Sequence, residues 1–114
     1  MKIAIESNDG VTIKSPFLPT RGFVVYDISE SDILNSEYRE SNLKSKKANG
    51  EREFVSVNSV LNDCNAIISR GMDRNYLDVF KKEGMDVYIT FKTSTKEAAR
   101  LYMRELLVSN RFAQ

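Results

Sequence analysis

The sequence predicts an α/β sandwich, a mixed β-sheet with helices packed on it. Three observations point there. Short apolar and β-branched runs fill the first half of the chain, separated by turn residues, as in an antiparallel meander. From about Asn49 the apolar period changes to the helical one, and the order becomes helix, strand, helix, strand, helix. Two strands joined through a helix lie parallel with a right-handed crossover, so the second half adds a parallel pair to the same sheet.

The first strand is Lys2-Ile3-Ala4-Ile5-Glu6, nearly continuous in apolar residues and stopped by Ser7-Asn8-Asp9-Gly10, which tolerate positive φ. A loop with Pro16 and Pro19 follows, in which Val11-Thr12-Ile13 is short enough only for brief pairing. Gly22-Phe23-Val24-Val25-Tyr26-Asp27-Ile28 is β-branched and aromatic, a strand. Glu37-Tyr38-Arg39-Glu40-Ser41 alternates weakly and is charged, which suits an edge strand. Phe54, Val57 and Leu61 then fall on one face of a helix. Asn65-Ala66-Ile67-Ile68-Ser69 is the next buried strand. Asp73 caps a helix that turns Tyr76, Leu77 and Phe80 inward and ends at Gly84. Asp86 to Phe91 is the last strand. Ser94-Thr95-Lys96-Glu97 has capping-box spacing, ahead of a helix with Ala98, Ala99, Tyr102, Met103 and Leu106 on its apolar side.

Composition narrows the chemistry. The chain has 114 residues, the size of one domain, and a net charge of +1, which lacks the electrostatic footprint of a nucleic-acid binder. Its one basic run, Lys44-Ser45-Lys46-Lys47, lies among Glu37, Glu40, Glu51 and Glu53 and reads as a solvated loop. Neither a signal peptide nor a run of ~20 apolar residues is present, so a cytoplasmic protein without membrane contact is expected. Cys64 is the single cysteine and histidine is absent altogether. That removes internal disulfides, histidine bases and the commonest metal ligands together. Without a histidine to activate Cys64 or a serine, nucleophilic catalysis has no support.

The stretch Ile67-Ile68-Ser69-Arg70-Gly71-Met72-Asp73 is a strand-to-helix corner. Corners of this kind leave backbone N–H groups unpaired and can take an anion. Arg70 adds a guanidinium suited to a carboxylate or phosphate, while the carboxylate of Asp73 competes for the same helix end. A plain glycine turn with arginine in solvent is the other reading.

Residues Val60 to Gly71 (VLNDCNAIISRG) followed by Leu77 to Tyr88 (LDVFKKEGMDVY) resemble the dinitrogenase iron-molybdenum cofactor biosynthesis family, which includes small carriers of metalloclusters. The openings Met1-Lys2-Ile3-Ala4-Ile5 and Phe23-Val24-Val25-Tyr26-Asp27, and the closing Ser94-Thr95-Lys96-Glu97-Ala98-Ala99, are similar to that family too. The resemblance implies a ribonuclease H-like fold with a five-stranded mixed sheet whose first and fourth strands are neighbours. Their carboxyl ends would then share a crevice, lined by Ser7, Asn8 and Asp9 from one turn and Ser69, Arg70, Gly71 and Met72 from the other. The resemblance also makes Cys64 a candidate soft-metal ligand at the opposite end of the sheet, against its reading as a small buried hydrophobe. An iron–sulfur or iron–molybdenum type cluster is the implied cargo, with a protein partner in cofactor assembly. A homodimer would bring two cysteines together.

The sequence departs from the family where many members carry His-Phe-Gly. Here the stretch is Ser15-Pro16-Phe17-Leu18-Pro19. Two function classes therefore stand: a non-enzymatic carrier or accessory protein for a metallocluster or small anion, and a degenerate member acting as a metal-free interaction or regulatory module. A nuclease on this scaffold is disfavoured, because the first strand supplies only Glu6 and two-metal chemistry needs clustered carboxylates.

Overall fold

The structure, a computed structural model, describes residues 1–40 and 60–109. Its five strands are β1 (Lys2–Glu6), β2 (Gly22–Ile28), β3 (Ile33–Glu40), β4 (Ala66–Ser69) and β5 (Asp86–Ile89); its helices are α1 (Arg74–Lys82) and α2 (Thr95–Val108). They form one mixed sheet in the order β3-β2-β1-β4-β5. β1 pairs with β2 and β2 with β3 in antiparallel fashion, whereas β4 is parallel to both β1 and β5. The expected meander and parallel pair are thus joined through β1.

Alternation along the strands gives the sheet two apolar faces. Ile3, Ile5, Val24, Tyr26, Ala66 and Ile68 pack under α2 against Ala98, Ala99, Tyr102, Met103 and Leu106. Ala4, Phe23, Val25 and Ile67 form the other face with Leu61, Cys64, Phe80 and Met85. Polar atoms tie α2 to the sheet: the Tyr102 hydroxyl donates to Asp86 at 2.6 Å, and the hydroxyls of Tyr26 and Thr95 share a hydrogen bond of 2.9 Å. Tyr88 meets the edge of Tyr102 with ring centroids 5.4 Å apart.

The helix signals hold at atomic detail. Asp73 accepts from the N–H of Tyr76, and Ser94 from that of Glu97. At the end of α1, Gly84 has φ +83, and Gly84 and Met85 donate to the carbonyls of Lys81 and Phe80, closing a Schellman turn. Phe80 is buried, with Tyr76 and Leu77 half-buried beside it.

Two strand boundaries differ from the sequence expectation. The edge strand is longer, Ile33–Glu40 instead of 37–41, because it pairs along the whole of β2. Its polar residues conceal the apolar alternation that would have marked its start. β5 ends at Ile89 rather than Phe91. Its neighbour β4 stops at Ser69, Thr90 N–H closes the pair on the Ser69 carbonyl, and Lys92 N–H turns back onto Thr90 Oγ1. The expected helix over Phe54 and Val57 lies outside the described residues; Leu61 near its close is helical and buried. Val11 to Ile13 does pair briefly, through an isolated bridge between Thr12 and Ser94.

Gly22 shows how tightly the edge is fitted. The Tyr38 hydroxyl donates to the Ser7 carbonyl at 3.1 Å, and its ring passes over Gly22 to do so. A Cβ at position 22 would collide with that hydroxyl and lie 2.7 Å from the Arg39 carbonyl. Gly22→Ala is therefore expected to lower stability by about 1–3 kcal/mol, read as a shift in urea midpoint at constant slope.

Candidate functional site

Because β1, β4 and β5 are parallel, the loops that leave them meet at one end of the sheet. Glu6 closes β1 and Ser69 closes β4, and both are buried. The Ser69 hydroxyl lies 2.5 Å from Glu6 Oε1 and 2.9 Å from the Gly71 carbonyl, while Gly71 N–H donates back to it at 3.0 Å. Thr20 Oγ1 donates to Glu6 Oε2 at 3.1 Å. This end of the sheet thus holds a buried carboxyl group between two hydroxyls. Sequence reading weighed Glu6 only as a nuclease ligand. Its signal was a charged residue ending an otherwise apolar strand beside a neighbour ending in serine.

The turn after β1 uses its polar side chains on itself. Ser7 Oγ donates to the Thr12 carbonyl at 2.6 Å and accepts from Gly10 N–H. Asn8 accepts from Arg21 N–H and donates to the Pro19 carbonyl. Asp9 accepts from Thr12 Oγ1 and from the N–H groups of Thr12 and Val11, bonds that hold its carboxyl well below the usual carboxylate range. These three residues shape the loop. They stand near the corner, with these polar atoms bonded within their own loop and Asp9 exposed.

The corner itself has mixed character. Gly71 lies against Pro16, which a Cβ would approach to 3.3 Å. Met72 is half-buried and packs on the face that carries Phe80. Arg70 is half-buried and makes no ion pair among the described residues. Asp73 occupies the first turn of α1 with its own carboxylate. Lys14, also buried, donates from Nζ to the carbonyls of Ser15 and Leu18 and so fixes the Pro16–Phe17 turn above the corner.

Cys64 stands at the other end of β4, five positions before Ser69, roughly 16 Å away along an extended chain. It is buried, its Sγ is 3.6 Å from Asp63 Oδ1, and burial, reinforced by that carboxylate, pushes the thiol up to about 12. Asp63 is itself clamped by Arg39, with Nη1 to Oδ1 at 2.7 Å and Nη2 to Oδ2 at 2.9 Å, which keeps its carboxyl well below the ordinary range. Arg39 Nη1 also donates to the Val60 carbonyl at 2.8 Å, fastening the edge strand to the turn before β4. Among the described residues no three histidine, cysteine or acidic side chains gather as a metal site. One cysteine and no histidine in the whole chain do not fit a resident cluster ligated by several thiolates. No helix among the described residues is long and apolar enough to cross a membrane.

The sequence profile described as dinitrogenase iron-molybdenum cofactor matches residues 1–105. Among solved structures, the crystal structure of PH0822 superposes with a TM-score of 0.72 at 18% identity, covering 92% of each chain. A Thermotoga protein provisionally called NifB, solved by NMR, gives 0.65 at 22% identity over 90% of this chain and 87% of that one. The apo form of the orange protein from Desulfovibrio gigas gives 0.69 at 15% identity over 91% and 88%. At these identities the likeness establishes the fold. No functionally curated protein matches the sequence.

Two expectations test the Cys64 end. With so little thiolate at pH 8, native Cys64 should react with iodoacetamide at least ~100-fold more slowly than in denaturant, followed by mass spectrometry. The lowered carboxyl of Asp63 stabilises the fold above the unfolded value near pH 4, and that contribution disappears as pH falls toward the lower folded value. Asp63→Asn should accordingly be less stable than wild type at pH 6, by up to about 1 kcal/mol given the partly exposed pair, with the gap closing below about pH 4 in urea titrations.

Proposed function

The chain belongs to the dinitrogenase iron-molybdenum cofactor family, and from that premise we propose that it is a non-enzymatic accessory protein that carries an anionic metallocluster or small anion as transient cargo. The observation that carries this reading is Arg70, a guanidinium without an ion pair among the described residues, set at the corner where β1 and β4 open. Glu6 beneath it and Asp73 beside it oppose deep insertion of an anion. Cargo would rest at the rim, held by Arg70 and neighbouring N–H groups, and would be released readily as salt rises. Ser69 and Gly71 keep the corner in shape, while Ser7, Asn8 and Asp9 brace the facing turn.

Several further assignments go with this reading. The strand order, with three antiparallel strands followed by two parallel ones, supports a ribonuclease H-like classification. Residues 1–114 are read as one domain, working in the cytoplasm. Cys64, buried with a protonated thiol, is assigned to packing rather than to metal. The second reading, a metal-free interaction module, is favoured by a different observation: Phe17 and Phe91, both on loops at this same end, are almost wholly exposed.

Anaerobic reconstitution with iron, sulfide and molybdate, followed by metal analysis and absorption, tests the carrier reading. Wild type and Cys64→Ser should retain metal alike, and Arg70→Ser at least tenfold less. Equal loading of Arg70→Ser and wild type overturns the role of Arg70. Loss confined to Cys64→Ser would move the site to the far end of β4.

A further inference from the structure

We infer that β5 is the contact edge of a homodimer, in which the strand pairs antiparallel with β5 of a second copy about a two-fold axis at Ile89. The inference goes beyond the carrier reading and does not depend on whether cargo rests at Arg70.

The two edges of the sheet, β3 and β5, are finished differently. β3 carries Glu37, Arg39 and Glu40, is bulged beside Asp27 and Ile28, and has Arg39 tied to Asp63. Charge and bulging are the usual safeguards of a strand left unpaired. β5 and the residues after it have neither: from Val87 to Phe91 the chain reads Val-Tyr-Ile-Thr-Phe, without charge, proline or glycine. Asp86 N–H donates to the Asn65 carbonyl and Thr90 N–H to that of Ser69, so Asp86, Tyr88 and Thr90 address β4. Val87 and Ile89 therefore turn their N–H and C=O groups outward, and no hydrogen bond among the described residues meets them there. Ile89 is 46% exposed, and Phe91 just beyond it 91%. Bare backbone beside bare apolar side chains is a template for another strand.

The order of residues along this edge selects a second copy as that strand. Centred on Ile89, the antiparallel register sets Ile89 against the partner's Ile89, Tyr88 against the partner's Thr90, Val87 against the partner's Phe91 and Asp86 against the partner's Lys92. The outward groups of the two Ile89 residues then exchange a pair of N–H···O bonds, and both exposed apolar side chains gain an apolar neighbour. Moving the axis to Tyr88 sets Phe91 opposite the partner's Met85, beyond the strand, and moving it to Thr90 sets Tyr88 against the partner's Lys92. The contact also closes on itself. It uses both β5 edges and joins two five-stranded sheets into one bounded by the two charged β3 strands, so addition stops at two copies. Ser69 lies level with Ile89, which places the two Arg70 residues roughly 16 Å apart by strand spacing. That exceeds the screening length of about 8 Å at physiological salt, so their repulsion weighs little against the contact.

So short a strand makes a small interface, and a dimer that dissociates in the micromolar range is expected in sedimentation equilibrium of the full chain. Ile89→Lys and Ile89→Glu should each weaken it at least tenfold, because each sets like charges together on the axis. An equimolar mixture of those two variants should restore a dimer at least as tight as wild type. Only a residue that faces itself behaves in this way, and the rescue also shows that both variants fold. Leu34→Lys, on the β3 edge, should leave the dissociation constant unchanged. Arg70→Ser should dimerise as wild type does, so failure of the cargo reading leaves this inference standing. A wild-type chain that stays monomeric at millimolar concentration overturns it. So does a dimer indifferent to Ile89→Lys, an absence of rescue in the mixture, or growth beyond two copies.

Discussion

The pairing of β1 with β4 is the constraint on which the rest of the structure depends. Ile3, Ala4 and Ile5 lie opposite Ala66, Ile67 and Ile68 in parallel register, and all six are fully buried. Parallel strands bury both faces, which is why each segment reads as an unbroken apolar run rather than an alternation. The pairing joins the antiparallel meander to the βαβ half. It also places Glu6 beside Ser69, since both end their strands at the same level. Every feature at the loop end follows from that alignment.

That end sets a buried carboxyl group beneath exposed side chains of both charges. Glu6, buried, and Asp9, exposed, both accept from hydroxyl or N–H donors within the chain. Arg21, Arg74 and Lys92 are exposed around them, and so are Glu40 and Glu97. The interior arrangement stabilises the loops, and the exterior one is available for contact with other molecules. Ser7, Asn8 and Asp9, which the sequence suggested as ligands, also brace their own loop. Side chains that form Asx-type turns use their acceptors on neighbouring backbone first.

The architecture was largely legible in the sequence because its signals are local. Asp73, Ser94 and Gly84 mark helix ends through their own chemistry, and Ile3 to Ile5 and Ala66 to Ile68 mark buried strands by composition alone. What escaped reading depends on partners far along the chain. The extent of β3 is set by β2, and the end of β5 by Ser69. The clamp of Arg39 on Asp63 joins residues 24 apart, and nothing in either local stretch announces it. β1 and β4 are the neighbours that the resemblance implied, while the buried carboxyl between their ends emerged only when the register of those strands was known.

The register of β1 and β4 has a kinetic consequence as well. The Lys2 N–H is bonded to Asn65 across 63 residues, so the central strand can complete its ladder only after more than half the chain has emerged. β1, β2 and β3 are close in sequence and can assemble early, leaving Ile3 to Ile5 with one bare strand edge. Bringing β4 onto β1 across that sequence separation costs the most chain entropy, which is lost before the parallel contacts compensate. During synthesis that waiting edge is the unpaired strand edge most exposed to misassembly.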